Sequence, residues 1–396
     1  MKILQAFDFF SLPHGGGVVD MMYWLAQALR QRGHEVVVYT SDFELDQEYI
    51  DSLQGVKVYP FRSWFHVSGI HIMPGIIAET REKLRDFDIM HLHCYRSFQN
   101  IVLHHYAMKY NIPYIIDAHG ATMRIARADT GFKRLLKWVY DIAYGNRILK
   151  DATRVIAQND MEASQYIEAG ANEDKIVKLP LPLAVEEFAR LPSPGLFRRR
   201  FDIKQEHLVL CLGRIHWIKG LDFLVEAFYE MVGYRNDVLL AIAGADDGYK
   251  HTLEKLISRL NLSDRVIFTG FLRGEEKLSA MVDADVLVQT SKYEQSSKTP
   301  FEAIMCNTPV IVSKNTGAGE DVASIDAGYL VEYGDKSGLV DAIQDVLDNP
   351  DKARNRTEIA KLYIETNLSV ARQTEKYESL YTEAVAAHKS RASGQK

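Results

Sequence analysis

Two short stretches of the chain hold charged residues at spacings that can do chemistry. In KYEQSSKTPFEAIMCNTPVIV, residues 292–312, Glu294 and Glu302 flank small hydroxyl residues, and a bare aliphatic strand follows. In GRIHWIKG, residues 213–220, Arg214 and Lys219 share a loop that leaves an apolar strand and opens a helix. A guanidinium offers a planar fork and an ammonium a mobile point charge, so the two can meet one anion. Cations at a helix start oppose the helix dipole, and a bound anion therefore explains the pair better than two solvated side chains do. Thr299-Pro300-Phe301-Glu302 has the form of a helix start, threonine as cap and glutamate three residues later, which makes Glu302 a capping-box residue. Glu294, one loop earlier, has no capping role.

The elements that must position these residues follow from the hydrophobic pattern. KILQAF leads into a glycine turn, then a helix through VVDMMYWLAQALRQRG with Gly33 as its stop, then the strand HEVVVYT. DIMHLHC, PYIIDAH and TRVIAQN read as further strands, and strands that alternate with helices imply a parallel sheet covered on both faces. Pro180, Pro182, Pro192 and Pro194 interrupt the alternation. It restarts with LVLCLGR and continues through VLLAIAG, RVIFTGF, DVLVQTS, PVIVSKN and GYLVEYG. The expected architecture is α/β, two doubly wound, Rossmann-like domains facing a central cleft. Residues 1–185 form the first, 186–206 a linker, 207–369 the second, and 370–396 a final helix and tail that can pack back on the N-terminal domain. Open α/β sheets bind ligands beyond the carboxyl ends of their strands, where both charged stretches fall.

A chain of 396 residues exceeds the size at which one core keeps growing, which agrees with two domains. A net charge of −6, with 13 histidines counted neutral, gives no global attraction for nucleic acid. Cys94, Cys211 and Cys306 are far apart and lack C-x-x-C spacing, which argues against a disulfide framework or zinc site and fits a reducing cytoplasm. The start MKILQAFDFFSLPHGGG breaks its apolar run at Asp8, so it reads as a first strand rather than a signal peptide. No uninterrupted apolar run approaches the roughly 18 residues of a membrane-spanning helix.

Glu294, seven intervening residues, then Glu302-Ala303 with TPVIVS following resembles the E-x7-E motif of retaining GT-B glycosyltransferases, particularly glycosyltransferase family four. GRIHWIKG resembles that family's diphosphate-binding segment, with Arg214 and Lys219 in the basic positions. PHGGG, DIMHLHCY from Asp88, IPYIIDAHG from Ile112 and TGFL from Thr269 occur in the family's order, so the resemblance runs from Lys2 to about Tyr381. It implies a donor that is a nucleotide diphosphate sugar (UDP-, GDP- or ADP-sugar), no required cofactor, and an acceptor that is a sugar, glycan or lipid-linked molecule. It also implies that Glu302 takes the ribose hydroxyls, that Glu294 lies by the donor sugar, and that Gly270, Phe271 and Leu272 border the nucleotide. Between the glutamates the family commonly has Pro-Phe-Gly-Leu, whereas here stands Gln295-Ser296-Ser297-Lys298. Amides at Ser297, Lys298 and Thr299 remain within reach of phosphate or sugar, and donor choice is expected to depend on this segment. Breaking the anomeric bond builds negative charge on the leaving phosphate and oxocarbenium character on the sugar. Arg214, Lys219 and Glu294 have the charges to meet them.

Other residues carry weaker signals. Gly15-Gly16-Gly17 lacks the third glycine of a dinucleotide fingerprint, since Asp20 stands there, but a glycine loop lets Gly16 and Gly17 approach a phosphate or sugar. His119 ends PYIIDAH at a strand terminus; family members often place a histidine there by the sugar, and a buried, satisfied histidine is the competing account. His91 and His93 alternate along a strand, which suggests different partners rather than a joint metal site. The D-x-D strings at Asp283 and Asp285 and at Asp246 and Asp247 read as turn and cap residues, and Arg214 and Lys219 make a metal unnecessary. Residues 131–154 mix Lys133, Arg134, Lys137, Arg147, Lys150 and Arg154 with apolar positions near helical spacing. Such a face can rest on an anionic membrane, but a core helix with a solvated outer side is the favoured reading, the apolar positions filling an inner stripe. A cytoplasmic glycosyltransferase, closing as substrate binds and acting with retention of anomeric configuration, is the expected function. The rivals are a nucleotide-sugar epimerase of similar architecture, a glycan phosphorylase and a noncatalytic sugar-nucleotide binding protein.

Overall fold

The computed structural model describes residues 1–10, 12–67, 70–120 and 131–394. The chain divides into two compact units, Met1–Pro182 with Val370–Lys396, and Leu183–Ser369.

In the first unit, β1 (Lys2–Ala6), β2 (Glu35–Ser41) and β3 (Lys57–Phe61) are followed by a small antiparallel hairpin of β4 (Phe65–Val67) and β5 (Ile70–Ile72), then by β6 (Ile89–His93), β7 (Tyr114–Asp117), β8 (Arg154–Ala157) and β9 (Ile176–Lys178). The seven-stranded sheet is parallel, in the order β3-β2-β1-β6-β7-β8-β9. Its central strands carry apolar residues on both faces because alternate residues enter two different cores. Ile3, Val36, Ile89, Ile115 and Ile156 occupy one face, and Leu4, Val37, Met90, Ile116 and Val155 the other. Helix Leu12–Gln31 covers the first face with Leu25, Ala26 and Leu29, beside Tyr377, Leu380, Tyr381 and Ala384 of the final helix Val370–Gly394.

The glycine turn expected after β1 is corrected. The helix begins at Leu12, so Gly15, Gly16 and Gly17 stand in its opening turns. Each glycine costs a helix about 1 kcal/mol relative to alanine. Burial of Val19, Met21, Met22 and Leu25 along the same helix outweighs that local cost. Its C-terminus matches the sequence reading: Gly33, at φ +90°, donates to the Arg30 carbonyl.

The second unit holds β10 (His207–Leu212), β11 (Val238–Ala243), β12 (Val266–Gly270), β13 (Val286–Gln289), β14 (Val310–Ser313) and β15 (Tyr329–Val331). They form a parallel sheet ordered β12-β11-β10-β13-β14-β15. This is the doubly wound arrangement, and the winding reverses between β10 and β13. Leu208 and Leu210 enter one core and Val209 and Cys211 the other. Residues 186–206, expected as a linker, contribute Phe188, Phe197 and Ile203 to the core of this unit.

Candidate active site

The loops that leave β10 and β13 lie at the reversal of the second sheet, where such folds open a crevice. After β10 the chain passes Gly213 and Arg214 into a short 3-10 turn, Trp217–Lys219, and then the helix Leu221–Val232. After β13 it runs through Ser291 and Glu294 into the helix Lys298–Met305. Backbone and side-chain bonds join the two loops. Lys292 N donates to the Ile218 carbonyl at 2.8 Å. The Thr290 hydroxyl reaches the carbonyls of Lys219 and Gly220 at 3.3 and 3.1 Å. Lys292 Nζ lies 3.3 Å from Asp222 and above the rings of Trp217 and Tyr333. Gly220 sits at φ +63°, and a Cβ there would stand 2.1 Å from the Thr290 carbonyl oxygen, so only glycine permits this approach.

That join brings Lys219 and Glu294 together as an ion pair whose side chains are only 19% and 17% exposed. The same carboxylate oxygen, Glu294 Oε2, accepts from Ser291 Oγ at 3.0 Å and from Gln289 Nε2 at 3.2 Å. Among the described residues no donor is bonded to Oε1, which leaves that oxygen to accept from a ligand hydroxyl. Gln289 ends an otherwise apolar strand and is itself buried; its Oε1 takes the Ser297 hydroxyl at 3.1 Å. Ser297 is the N-cap of helix Lys298–Met305 yet makes no side-chain cap bond to it. The Ser297 hydroxyl therefore does not cap the first turn of this helix.

The capping-box reading of Glu302 is corrected here. The helix starts at Lys298, two residues earlier than Thr299 as cap would have it, so Glu302 falls past the first turn. It pairs instead with Lys277 Nζ at 3.1 Å. Lys298 is buried at the first helical position, with Thr299 half-buried beside it. Arg214 is 63% exposed and pairs with Asp247 at 2.5 Å. The imidazole of His216 is pushed below its ordinary range, mainly by burial; the Asp247 charge opposes this, and the charges of Arg214 and Lys219 add to the lowering. Beyond β12, Gly270 adopts φ +78°, Phe271 is 62% exposed and Leu272 is buried.

The D-x-D strings do structural work. Asp283 accepts from the amides of Gly195 and Arg198 at 2.5 and 3.0 Å, and Asp285 from the amide of Leu208 at 2.7 Å. Asp246 accepts from the amides of Gly248, Tyr249 and Lys250 at the head of helix Lys250–Arg259.

In the first unit, His119 follows β7 at φ +48° with its side chain almost wholly buried. Its Nε2 lies 3.0 Å from His93 Nδ1, and its Nδ1 lies 2.9 Å from Gln158 Nε2 and 3.1 Å from Asp117 Oδ1. This is the geometry of the buried, hydrogen-bonded histidine, and a sugar hydroxyl reaching either ring nitrogen would displace one of these partners. His91 and His93 indeed take different partners, Tyr381 and His119. Burial holds both imidazoles well below their usual range, and burial together with the Glu162 charge raises the Asp117 carboxyl well above its own. Glu162 accepts from the amides of Gly120 and Gln158 at 2.8 and 2.9 Å, fixing the turn that carries His119. Gly16 and Gly17 belong to the opening turns of helix Leu12–Gln31.

Sequence reasoning missed Gln289, Ser291 and Lys277. A buried amide ending an apolar strand was a visible signal for Gln289; nothing local marked Lys277, whose partner is fixed only by the fold.

Residues 16–182 match the family model for the glycosyl transferase 4-like domain, and residues 196–363 match that for glycosyl transferases group 1. With two Rossmann-like units carrying these matches, the chain is a glycosyltransferase of the GT-B fold and of family-four type. It is 27% identical to an uncharacterized glycosyltransferase of Methanocaldococcus jannaschii, over 77% of this chain and 78% of that one. It is 26% identical to a phosphatidylinositol N-acetylglucosaminyltransferase component of Arabidopsis thaliana, over 95% of this chain and 81% of the relative. Among solved structures, Anabaena HepE in complex with UDP and glucose superposes with a TM-score of 0.79 at 18% identity, covering 97% of this chain and 100% of that one.

Proposed function

We propose that the chain transfers a hexose from a nucleotide diphosphate sugar (UDP-, GDP- or ADP-sugar) to a glycan, lipid-linked sugar or small-molecule acceptor, with retention of anomeric configuration, in the cytoplasm. The observation that carries this is Glu294 at the switch point of a doubly wound sheet, with Oε2 tied to Lys219, Gln289 and Ser291 and with no donor on Oε1 among the described residues. In this reading Oε1 accepts from a donor-sugar hydroxyl and its charge stabilises the oxocarbenium. Lys219 and Arg214 counter the charge growing on the leaving diphosphate. The amides of Ser297, Lys298 and Thr299 hold phosphate or sugar, Glu302 takes the ribose, and Gly270, Phe271 and Leu272 border the nucleotide. In the first unit, Gly16 and Gly17 are assigned to a phosphate or sugar, and His119 to a sugar hydroxyl taken in exchange for one of its present partners. The relative bound to UDP and glucose and the relative named as an N-acetylglucosaminyltransferase support this donor class.

No side chain is assigned as a covalent nucleophile. The acceptor oxygen attacks the anomeric carbon from the face on which the carbon–phosphate oxygen bond breaks, and its proton passes to the departing phosphate oxygen. Incubation with a panel of nucleotide sugars and acceptors, followed by NMR of the anomeric proton, tests this. A retained product is expected. An inverted product removes the mechanism, an epimerised donor without transfer identifies an epimerase, and binding without turnover identifies a noncatalytic protein.

A further inference from the structure

The loop that carries Arg214 is bonded along its length to the loop after β11. Gly213 N donates to the Ala243 carbonyl at 2.9 Å, Ile215 N to the Ala245 carbonyl at 2.8 Å, and Asp247 N back to the Ile215 carbonyl at 3.0 Å. Ile215 and Asp246 form a parallel bridge, so the pairing of β10 with β11 runs on past the ends of both strands. A Cβ on Gly244 would stand 1.8 Å from the Gly213 carbonyl oxygen, which makes glycine the residue that lets the loops close to this distance. Backbone thus sets Asp247 beside Arg214.

The two aspartates of this loop have separate tasks. Asp246 Oδ1 accepts from the amides of Gly248, Tyr249 and Lys250. Asp247 makes no bond of that kind: among the described residues its one side-chain partner is Arg214, joined through Oδ2 and Nη1. Its side chain is 46% exposed, so neither capping nor burial accounts for a carboxylate there, and an ion pair this open adds little to stability. What the pair does hold is the guanidinium assigned above to the leaving diphosphate. A phosphate group offers a guanidinium the same ligand chemistry as a carboxylate, anionic oxygens that match its fork. A carboxylate already bonded to that guanidinium also lies close enough to repel the diphosphate that would bind it.

We propose that Asp247 is an intramolecular competitor of the nucleotide: its carboxylate holds Arg214 when no nucleotide is bound, yields it to the diphosphate of the donor, and reclaims it as the nucleoside diphosphate departs. The inference rests on the assignment of Arg214 to the diphosphate. Asp247 acts through Arg214 and touches no substrate; it lowers affinity for donor and spent nucleotide alike and favours release of the latter.

Calorimetric titration of the full chain with UDP, GDP and ADP at low salt, followed by work with the tightest binder of the three, tests this in Asp247→Asn, Arg214→Gln and the double variant. Asp247→Asn keeps the shape of the side chain and leaves the Asp246 bonds alone, so its melting temperature without nucleotide should match that of wild type. The nucleoside diphosphate should bind Asp247→Asn about fivefold more tightly, the upper range for an exposed ion pair. That gap should close at about 0.5 M salt, where exposed charges are screened within a few ångström. Arg214→Gln should bind more weakly than wild type, and adding Asp247→Asn to it should leave affinity unchanged, which a merely structural role for Asp247 does not require. Affinity unchanged or reduced in Asp247→Asn, with Arg214→Gln weakened, overturns the competition while the donor-site reading stands; Asp247 would then orient Arg214. Equal tightening in both backgrounds also overturns it, since the carboxylate would then act on the nucleotide directly. Binding by Arg214→Gln at the wild-type level, or no binding of any of the three nucleotides, overturns the assignment of Arg214 and this proposal with it.

Discussion

Lys219 and Glu294, 75 residues apart in the chain, form an ion pair because the loops after two neighbouring strands are bonded to one another through Thr290, Lys292 and Gly220. The cation assigned to the leaving diphosphate and the carboxylate assigned to the sugar are thus held in contact by backbone, not by chance of side-chain reach. Glu294→Gln keeps an acceptor for Ser291 and Lys219 but removes the charge. Turnover is expected to fall about a hundredfold or more, on the scale of losing one preorganised electrostatic partner, with donor KM changing far less. The pair is partly exposed, so stability should shift by only about 1 kcal/mol. Steady-state kinetics alongside urea unfolding separates the two effects; undiminished kcat in a folded variant would remove Glu294 from the chemistry.

Glu302 is a cleaner probe of donor binding than its sequence context suggests, because it does not cap its helix. Glu302→Gln should raise the KM for the nucleotide sugar and leave both kcat and the melting temperature close to wild type. Lys277→Ala, which frees the carboxylate without removing it, should have a smaller effect on KM. If Glu302→Gln instead melts the protein at lower temperature with KM unchanged, the residue is structural.

Gly220→Ala tests the join between the loops. The new Cβ meets the Thr290 carbonyl and the backbone must hold φ +63°, where non-glycine residues cost about 1–2 kcal/mol before any clash is counted. Unfolding free energy should fall by about 2 kcal/mol or more, and donor-induced thermal stabilisation should fall with it. A variant as stable as wild type that still binds donor would show that the join is dispensable.

What the sequence disclosed and what it concealed divide along physical lines. Strands such as Val238–Ala243 were plain because burial on both faces demands an unbroken apolar run. Arg214, Lys219 and Glu294 stood out as charged residues in loops that follow apolar strands, and Glu302 by its spacing from Glu294. The start of helix Leu12–Gln31 was misplaced because local glycine preference lost to the packing of residues further along it. Thr299-Pro300-Phe301-Glu302 looked like a capping box, but the Ser297 hydroxyl turns to Gln289, a partner set by the sheet. Periodicity in residues 131–142 showed an amphipathic helix without showing which side faces in: against the inner stripe expected, Leu135, Trp138, Val139 and Ile142 are about half exposed, and the Arg96–Asp141 pair, 45 residues apart in sequence, decides that.

The buried histidines predict a pH dependence with a defined sign. His91 and His93 have folded-state pKa values well below the roughly 6.5 of an unfolded chain, because burial disfavours the charged ring. As pH falls below that value the unfolded state takes up protons that the folded state refuses, so these residues reduce stability in acid. Asp117 and Glu162, with raised folded-state values, act oppositely by taking up protons in the folded state first, so the total slope is a difference. His93→Asn isolates one imidazole. Between pH 6.5 and 5 its unfolding free energy should fall less steeply than that of wild type, by up to about 1.4 kcal/mol per pH unit. Parallel slopes for the two proteins would mean that His93 takes up its proton in the folded state as readily as in the unfolded chain.

Gln289 bonds both Glu294 and Ser297, and its removal should act through Ser297. With its hydroxyl engaged by Gln289 Oε1, Ser297 makes no side-chain cap bond to helix Lys298–Met305. In Gln289→Leu the hydroxyl is released to do what an N-cap serine ordinarily does, accepting from an amide of the first turn, which stabilises the helix by about 1 kcal/mol and occupies the anion site. Donor KM should therefore rise while the melting temperature holds or increases, a combination that simple damage to the fold does not produce. Adding Ser297→Ala removes the competing hydroxyl, so Gln289→Leu/Ser297→Ala should recover part of the donor affinity that Gln289→Leu loses. The Glu294 hydrogen bond lost with Gln289 is absent from both variants and cancels in that comparison. Equal KM values for the single and double variants would show that Gln289 acts on Glu294 alone.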